Sequence, residues 1–341
     1  MDPLVSTTKL LYITDTHGKA RNPVSRIDNY AEAVFRKMKY IIEYAENNNF
    51  DAILHGGDWL DAPHVSDDFI REFSFIIKGS KVPFYGILGN HDIYGYNPDT
   101  FLRTAYSISE GLGVFTRLYR DKPVKVGRAI LTGQDAVADY DRKGCEYLYT
   151  DSYIESESDH VVIHLTHGML VDKKWDEKIC LTTPVSQIID SVNADIVLGG
   201  HEHIGFGIIS KMNSYGKMKT FCNPGSLLRV TSSTGDVRRN CRFATIEINS
   251  SGYDVKLHDL PEDIAKPAEE VFDLASLQKE KDAKKNLQAF IDTANQIDLS
   301  ENPGDVYNNL KKMADEDNID EEVYNICVDE LKKAEESQFN D

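Results

Sequence analysis

Side chains able to do chemistry recur in this sequence wherever a run of apolar residues stops. "LLYIT" is followed by Asp15 and His17, "AILHGGDWLD" carries Asp58 and Asp61, and "FYGILGNHD" ends in Asn90, His91 and Asp92. "VIHLTHG" supplies His167, and "IVLGGHEH" supplies His201 and His203. In an extended chain residues i and i+2 point to the same side, so Asp15 and His17 would converge on one point beyond their strand. Imidazoles, carboxylates and one amide oxygen, with no thiolate among them, suit borderline or hard divalent ions: manganese first, with iron or zinc as alternatives. Seven candidate ligands (Asp15, His17, Asp58, Asn90, His167, His201, His203) are too many for one ion. They suggest two ions about 3.5 to 4 Å apart that share a carboxylate.

The elements that must position these residues alternate along the first 260 positions. "KLLYIT", "FDAILHGGD", "VPFYGILGN", "HVVIHLTHG" and "ADIVLGGHEH" read as strands, with "YAEAVFRKMKYIIEYAENN", "DDFIREFSFIIKGS" and "PVSQIIDSVN" as helices. "FGIISKM", "KTFCNPG", "CRFATIEIN" and "YDVKLHDL" follow as consecutive strands, with turns at "NSYGK" and "NSSGY". The pattern predicts an α/β sandwich of layered sheets flanked by helices. In open α/β sheets ligands gather beyond the carboxyl ends of strands, so five loops can feed one crevice. "PEDIAKPAEE" breaks the alternation, which places a boundary between a catalytic domain over 1–261 and a tail over 262–341. Helical spacing of Val271, Leu274 and Leu277, then Leu287, Phe290 and Ile291, then Val306, Leu310 and Met313, then Val323, Ile326 and Leu331 predicts a small all-helical C-terminal module.

Charge follows the same division. The net −18 is concentrated in residues 262–341, whose 22 acidic and 9 basic side chains give −13, against −5 for residues 1–261. The acidity is therefore no argument against a phosphate substrate for the body of the chain. No apolar run approaches the roughly 20 residues of a membrane span, and a cytoplasmic protein without membrane contact is expected. Five scattered cysteines (Cys145, Cys180, Cys222, Cys241, Cys327) form no C-x-x-C pair and read as reduced thiols. His55 and His164 sit inside apolar runs and read as core or supporting residues, and His64, His160 and His258 as ordinary loop residues.

Singly, a D-x-H or an H-x-H is weak; "DTH", "GGDWLD", "GNHD", "THG" and "GGHEH" in this order are not. The series resembles the full signature of the calcineurin-like metallophosphoesterases over residues 9 to about 260. The resemblance implies that Asp15, His17 and His203 hold one ion, that Asn90, His167 and His201 hold the other, and that Asp58 bridges. It also implies that His91 is the non-ligand catalytic histidine and that Asp61 is the acid orienting it. The chemistry implied is hydrolysis of a phosphoester, in which the ions activate a water molecule and neutralise phosphate oxygens.

Within the superfamily, the segment between Asp15 and Asp58, the text "GGDWLDAPHVS" and "NPGSLLRVTSS" before a closing strand resemble the SbcD-type nuclease subunit of double-strand-break repair. That resemblance implies DNA as substrate and an SbcC-type coiled-coil ATPase docked on the C-terminal helices, with a homodimer as a further arrangement. Arg229, Arg238 and Arg239 are the candidate contacts to backbone phosphates, with Arg242, Lys19 and Arg21 as further cations near the motifs. Two other functions stay open: a stand-alone phosphodiesterase or phosphatase for nucleotides or cyclic nucleotides, and a scaffold without catalysis.

Overall fold

The computed structural model describes residues 7–104, 106–138, 140–143, 147, 160–279, 282, 285, 303–316, 321, 324, 325 and 327–329. The strands in chain order are β1 (Thr8–Ile13), β2 (Ala52–His55), β3 (Phe84–Gly86), β4 (Thr116–Arg117), β5 (Val124–Val126), β6 (Ala129–Gln134) and β7 (Val161–Thr166). They continue with β8 (Leu170–Val171), β9 (Thr183–Pro184), β10 (Ile196–Gly199), β11 (Gly207–Met212), β12 (Met218–Asn223), β13 (Arg242–Asn249) and β14 (Gly252–Asp259). One sheet runs β14-β13-β1-β2-β3-β4 and the other β11-β12-β10-β7-β6-β5, with β8 and β9 paired separately. The expected layered sandwich is therefore present.

Alternation along the strands builds its layers. On β1, Leu10 and Tyr12 face a core shared with Leu131, Ile163, Leu165, Ile196 and Leu198 of the second sheet. Leu11 and Ile13 point the other way, into a core with the helices. Helix α1 (Tyr30–Asn47) answers with Tyr30, Ala33, Val34, Met38, Ile41 and Ala45, an apolar stripe at helical spacing. Asn29 caps it by accepting the Glu32 N–H. Helix α2 (Asp67–Lys78) adds Phe69, Phe73 and Ile77. On the far side of the second sheet, Ile130, Val162, Val197 and Phe221 pack with Val185, Ile188 and Val192.

Two details depart from the strand and helix lengths read from sequence. β3 stops at Gly86, because the next groups find partners outside the sheet: Leu88 N–H donates to the Asp135 carboxylate at 2.7 Å, and Leu88 C=O accepts from Ala136 N–H. The segment "PVSQIIDSVN" keeps only one helical turn, Val185–Ile188.

The chain divides into two compact units, Met1–Phe272 and Asp273–Asp341. The first extends past the composition change at Pro261, since Phe272 is buried and bridges to Arg26. In the second, the helix Pro303–Glu316 buries Leu310 and Ala314 against Tyr324, Cys327 and Val328. The segment of Leu287, Phe290 and Ile291, the residues Val323, Ile326 and Leu331, and Cys145 lie outside the described residues.

Candidate metal centre

β1, β2 and β3 are parallel neighbours, and so are β7 and β10 in the other sheet. Five strand exits therefore face the same way from two sheets. The Tyr12 hydroxyl donates across the seam to the Gly199 carbonyl at 2.8 Å, which fixes the exit of β1 beside that of β10. Within the crevice three groups of ligand atoms each lie within 4.8 Å of one another: Asp15, His17, Asp58 and His203; Asp58, His167 and His201; and, from one sheet, His17, Asp61 and His91. Asp58 belongs to the first two, the position of a shared carboxylate. Its N–H neighbour is His91, whose backbone N–H donates to Asp58 Oδ1 at 2.9 Å.

The donor atoms are turned to receive cations. His167 Nδ1 donates to the Gly56 carbonyl at 2.7 Å, which leaves its Nε2 as a lone-pair atom 3.2 Å from Asp58 Oδ2. His17 Nε2 and His203 Nε2 face each other at 3.0 Å. Asp58 Oδ2, Asn90 Oδ1 and His167 Nε2 are buried with no hydrogen-bond partner. Buried polar atoms are nearly always satisfied, so three orphans converging on one crevice fit a divalent-cation site. Burial, reinforced by neighbouring imidazoles, holds His17 well below its usual value and His201 at about 4, so both are neutral donors. For His167 burial acts downward, and the Asp58 carboxylate beside it outweighs burial and raises the group to about 10.

Backbone strain concentrates here as well. Asp15, His17, Asp58 and His201 have φ between 45° and 70°, the left-handed region that costs a non-glycine residue of order 1 kcal/mol or more. Gly89 allows the close approach: a Cβ there would meet Asp58 Oδ1 at 2.0 Å.

His91 stands with its ring 4.8 Å from that of His17, and its Nδ1 is 2.7 Å from the Asp61 carbonyl. Asp61 thus meets His91 through its main chain. Its carboxylate pairs instead with Lys19 Nζ at 2.7 Å and lies 3.6 Å from His17 Nδ1.

One contributor escaped the sequence reading. Asp92, noted only as a strand-end residue, is buried and accepts from Gly89 N–H (2.8 Å), Leu60 N–H (2.9 Å) and Trp59 N–H (3.2 Å). It ties the loop of Asp58 to the loop of Asn90 and His91. Burial, followed by the Asp58 charge, raises its carboxyl to about 7. The signal was its place directly after His91.

The candidate phosphate-binding arginines have other partners. Arg229 donates to the carbonyls of Lys266 and Arg239 at 2.8 and 3.0 Å. Arg239 pairs with Asp236 at 2.7 Å and donates to the carbonyls of Ser226 and Leu228. Both are buried, whereas Arg238 is exposed. The two buried guanidiniums brace the loop of Ser226, whose N–H donates to the His203 carbonyl. His55 and His164 are buried and bonded to Thr16 and Thr132, at 2.7 and 2.9 Å.

Comparison with known proteins agrees with the crevice. The family model of the calcineurin-like phosphoesterases matches residues 8–205. The chain is 26% identical over 176 residues to the DNA double-strand break repair protein Mre11 of Methanosarcina acetivorans, covering 49% of this chain and 27% of that protein. It is 28% identical over 87 residues to the protein of the same name from Methanosarcina mazei, covering 25% and 14%. It thus matches well under a third of the length of either relative. Among solved structures, a dimetal phosphatase from Danio rerio aligns over 76% of this chain and 100% of its own, with TM-score 0.47 and 12% identity. A purple acid phosphatase from yellow lupin aligns over 76% and 52%, with TM-score 0.46 and 12% identity. Among the described residues no helix is long and apolar enough to cross a membrane. With its five motifs gathered at one crevice and the family model matched over more than half its length, the chain belongs to the calcineurin-like phosphoesterase family, whose members use dinuclear metal centres.

Proposed function

We propose that this chain is an SbcD-like DNA nuclease that cleaves phosphodiester bonds with two divalent ions, manganese in the first instance. The observation that carries phosphodiester chemistry is the pair of ligand groups sharing Asp58 with His91 beside them. The alignment with Mre11 supports DNA as the substrate. Asp15, His17 and His203 would hold one ion and Asn90, His167 and His201 the other, with Asp58 shared between them. When bound, such ions activate a water molecule and neutralise the phosphate oxygens it approaches.

The remaining work falls to the chain. His91 donates from Nδ1 to the Asp61 carbonyl, which fixes the ring and leaves Nε2 for the substrate. Protonated at Nε2, it gives that proton to the departing oxygen. Lys19 Nζ holds the Asp61 carboxylate at 2.7 Å, beside the carbonyl that His91 meets. Arg238 remains for backbone phosphates, and Arg229 and Arg239 act through the loop they brace. The acidic region over 262–341 serves as the dock for an SbcC-type ATPase.

The test is manganese-dependent hydrolysis of labelled linear DNA, bis-p-nitrophenyl phosphate and cyclic nucleotides by wild type, His91→Ala and Asp61→Asn. DNA degradation that falls 10²- to 10⁴-fold in His91→Ala is expected. Asp61→Asn keeps the carbonyl and is expected to lose less than tenfold. Turnover confined to the small diesters would replace the nuclease reading with that of a stand-alone phosphodiesterase.

A further inference from the structure

A second cavity opens directly off the metal crevice. It has a volume of about 250 Å³ and shares His167 and His201 with the ligand cluster. Its other walls include Tyr96, Val137, Tyr140 and Leu181. Tyr96 is 47% exposed and has φ 55°, a strained conformation for an aromatic residue. The loop around it is fixed: Asn97 N–H donates to the Tyr94 carbonyl at 3.1 Å, and Tyr94 N–H donates to the Thr100 hydroxyl at 2.9 Å. The opposite wall is fixed too, since Asp141 accepts from Met169 N–H at 2.8 Å and from the Thr183 hydroxyl at 2.7 Å.

The chemistry of the lining selects the ligand. A phosphate held beside His167 and His201 would have its substituent at a cavity with aromatic and aliphatic walls and polar edges at Asp141 and Arg142. A flat aromatic group with polar edges, linked to a phosphate, is a nucleoside. The volume, below the roughly 300 Å³ at which drug-sized sites begin, is of the size of one base. We infer that this cavity receives a single unstacked nucleoside adjoining the scissile phosphate, with Tyr96 as its stacking platform. The inference rests on the phosphodiesterase reading and names the substrate feature that reading leaves open. It follows that the terminal base pair of a duplex must open before cleavage, and that frayed or single-stranded ends are the better substrates.

The test compares thymidine 5′-p-nitrophenyl phosphate with bis-p-nitrophenyl phosphate, in manganese, for wild type, Tyr96→Ala and Tyr96→Phe. The ratio of kcat/KM for the nucleoside ester to that for the baseless ester is expected to fall about tenfold in Tyr96→Ala, chiefly through KM, and to return in Tyr96→Phe. An unchanged ratio in Tyr96→Ala overturns the inference while leaving the phosphodiesterase reading intact. If neither ester is turned over, the phosphodiesterase reading fails, and the cavity is judged by binding alone. Quenching of 2-aminopurine in a single-stranded oligonucleotide by wild type, lost in Tyr96→Ala, sustains the inference. Equal quenching by both proteins, or none, overturns it.

Discussion

Histidines buried within the strands and histidines buried at their exits differ in what meets their ring nitrogens. His55 and His167 are both almost wholly removed from solvent. His55 is satisfied by protein: it accepts the Gly57 N–H at Nδ1 (3.2 Å), meets the Thr16 hydroxyl at Nε2 (2.7 Å) and stacks on Trp59 at 3.7 Å between ring centroids. His167 has one nitrogen bonded to Gly56 and the other without a hydrogen-bond partner. Burial therefore does not distinguish a structural histidine from a ligand; the unfilled valence does.

The largest effect that would break this contrast is on His167. His167→Asn is expected to abolish binding of one manganese equivalent by titration calorimetry and to lower phosphodiesterase activity at least 10³-fold, while the protein stays folded by circular dichroism. Retained metal stoichiometry would show that the orphan nitrogen is not a ligand. His55→Leu should do the opposite. It leaves the Gly57 N–H unsatisfied and the Thr16 hydroxyl with only the Asp58 carbonyl at 3.4 Å, and is expected to cost about 1–3 kcal/mol of stability in urea unfolding, with metal stoichiometry intact.

A smaller, pH-dependent effect sharpens the comparison with a satisfied cation. Lys37 is buried and donates to the Leu227 carbonyl at 2.8 Å and toward Cys241 Sγ at 3.1 Å. Burial, partly offset by Cys241, lowers its ammonium to about 8. Between pH 8 and the usual value near 10.4 the unfolded chain binds the extra proton, so this group's contribution to stability rises with pH across that window. Below pH 8 both states are protonated and the full penalty of the buried charge remains. The difference in unfolding free energy between wild type and Lys37→Met should therefore shift in favour of wild type by about 1.5 kcal/mol from pH 8 to 9.5. A flat difference would mean that Lys37 keeps its charge throughout.

Much of the crevice was legible because its signals are local. An apolar run ending in Asp15-x-His17 or His201-x-His203 states both the strand and what its exit presents. The helices over Tyr30–Asn47 and Asp67–Lys78 were equally plain from their stripes. The partners of Asp61, Arg229 and Arg239 were not legible, since choosing a carbonyl over a carboxylate or a phosphate depends on how a loop folds back, whether on a loop 30 residues away, as for His91 and Asp61, or on its own neighbours, as for Arg239 and the Ser226 carbonyl. β4, β5 and β6 were passed over for a related reason. β4 and β5 are only two and three residues long, and β6 keeps its place by pairing with β7, far along the chain.

The two ligand groups that share Asp58 each draw on both sheets: Asp15, His17 and Asp58 with His203, and Asp58 with His167 and His201. Sliding the sheets past each other would loosen both ligand sets at once, before either sheet lost a strand. In mechanical terms the crevice is a strain gauge set across the seam, and a load on that seam would register first as lost coordination.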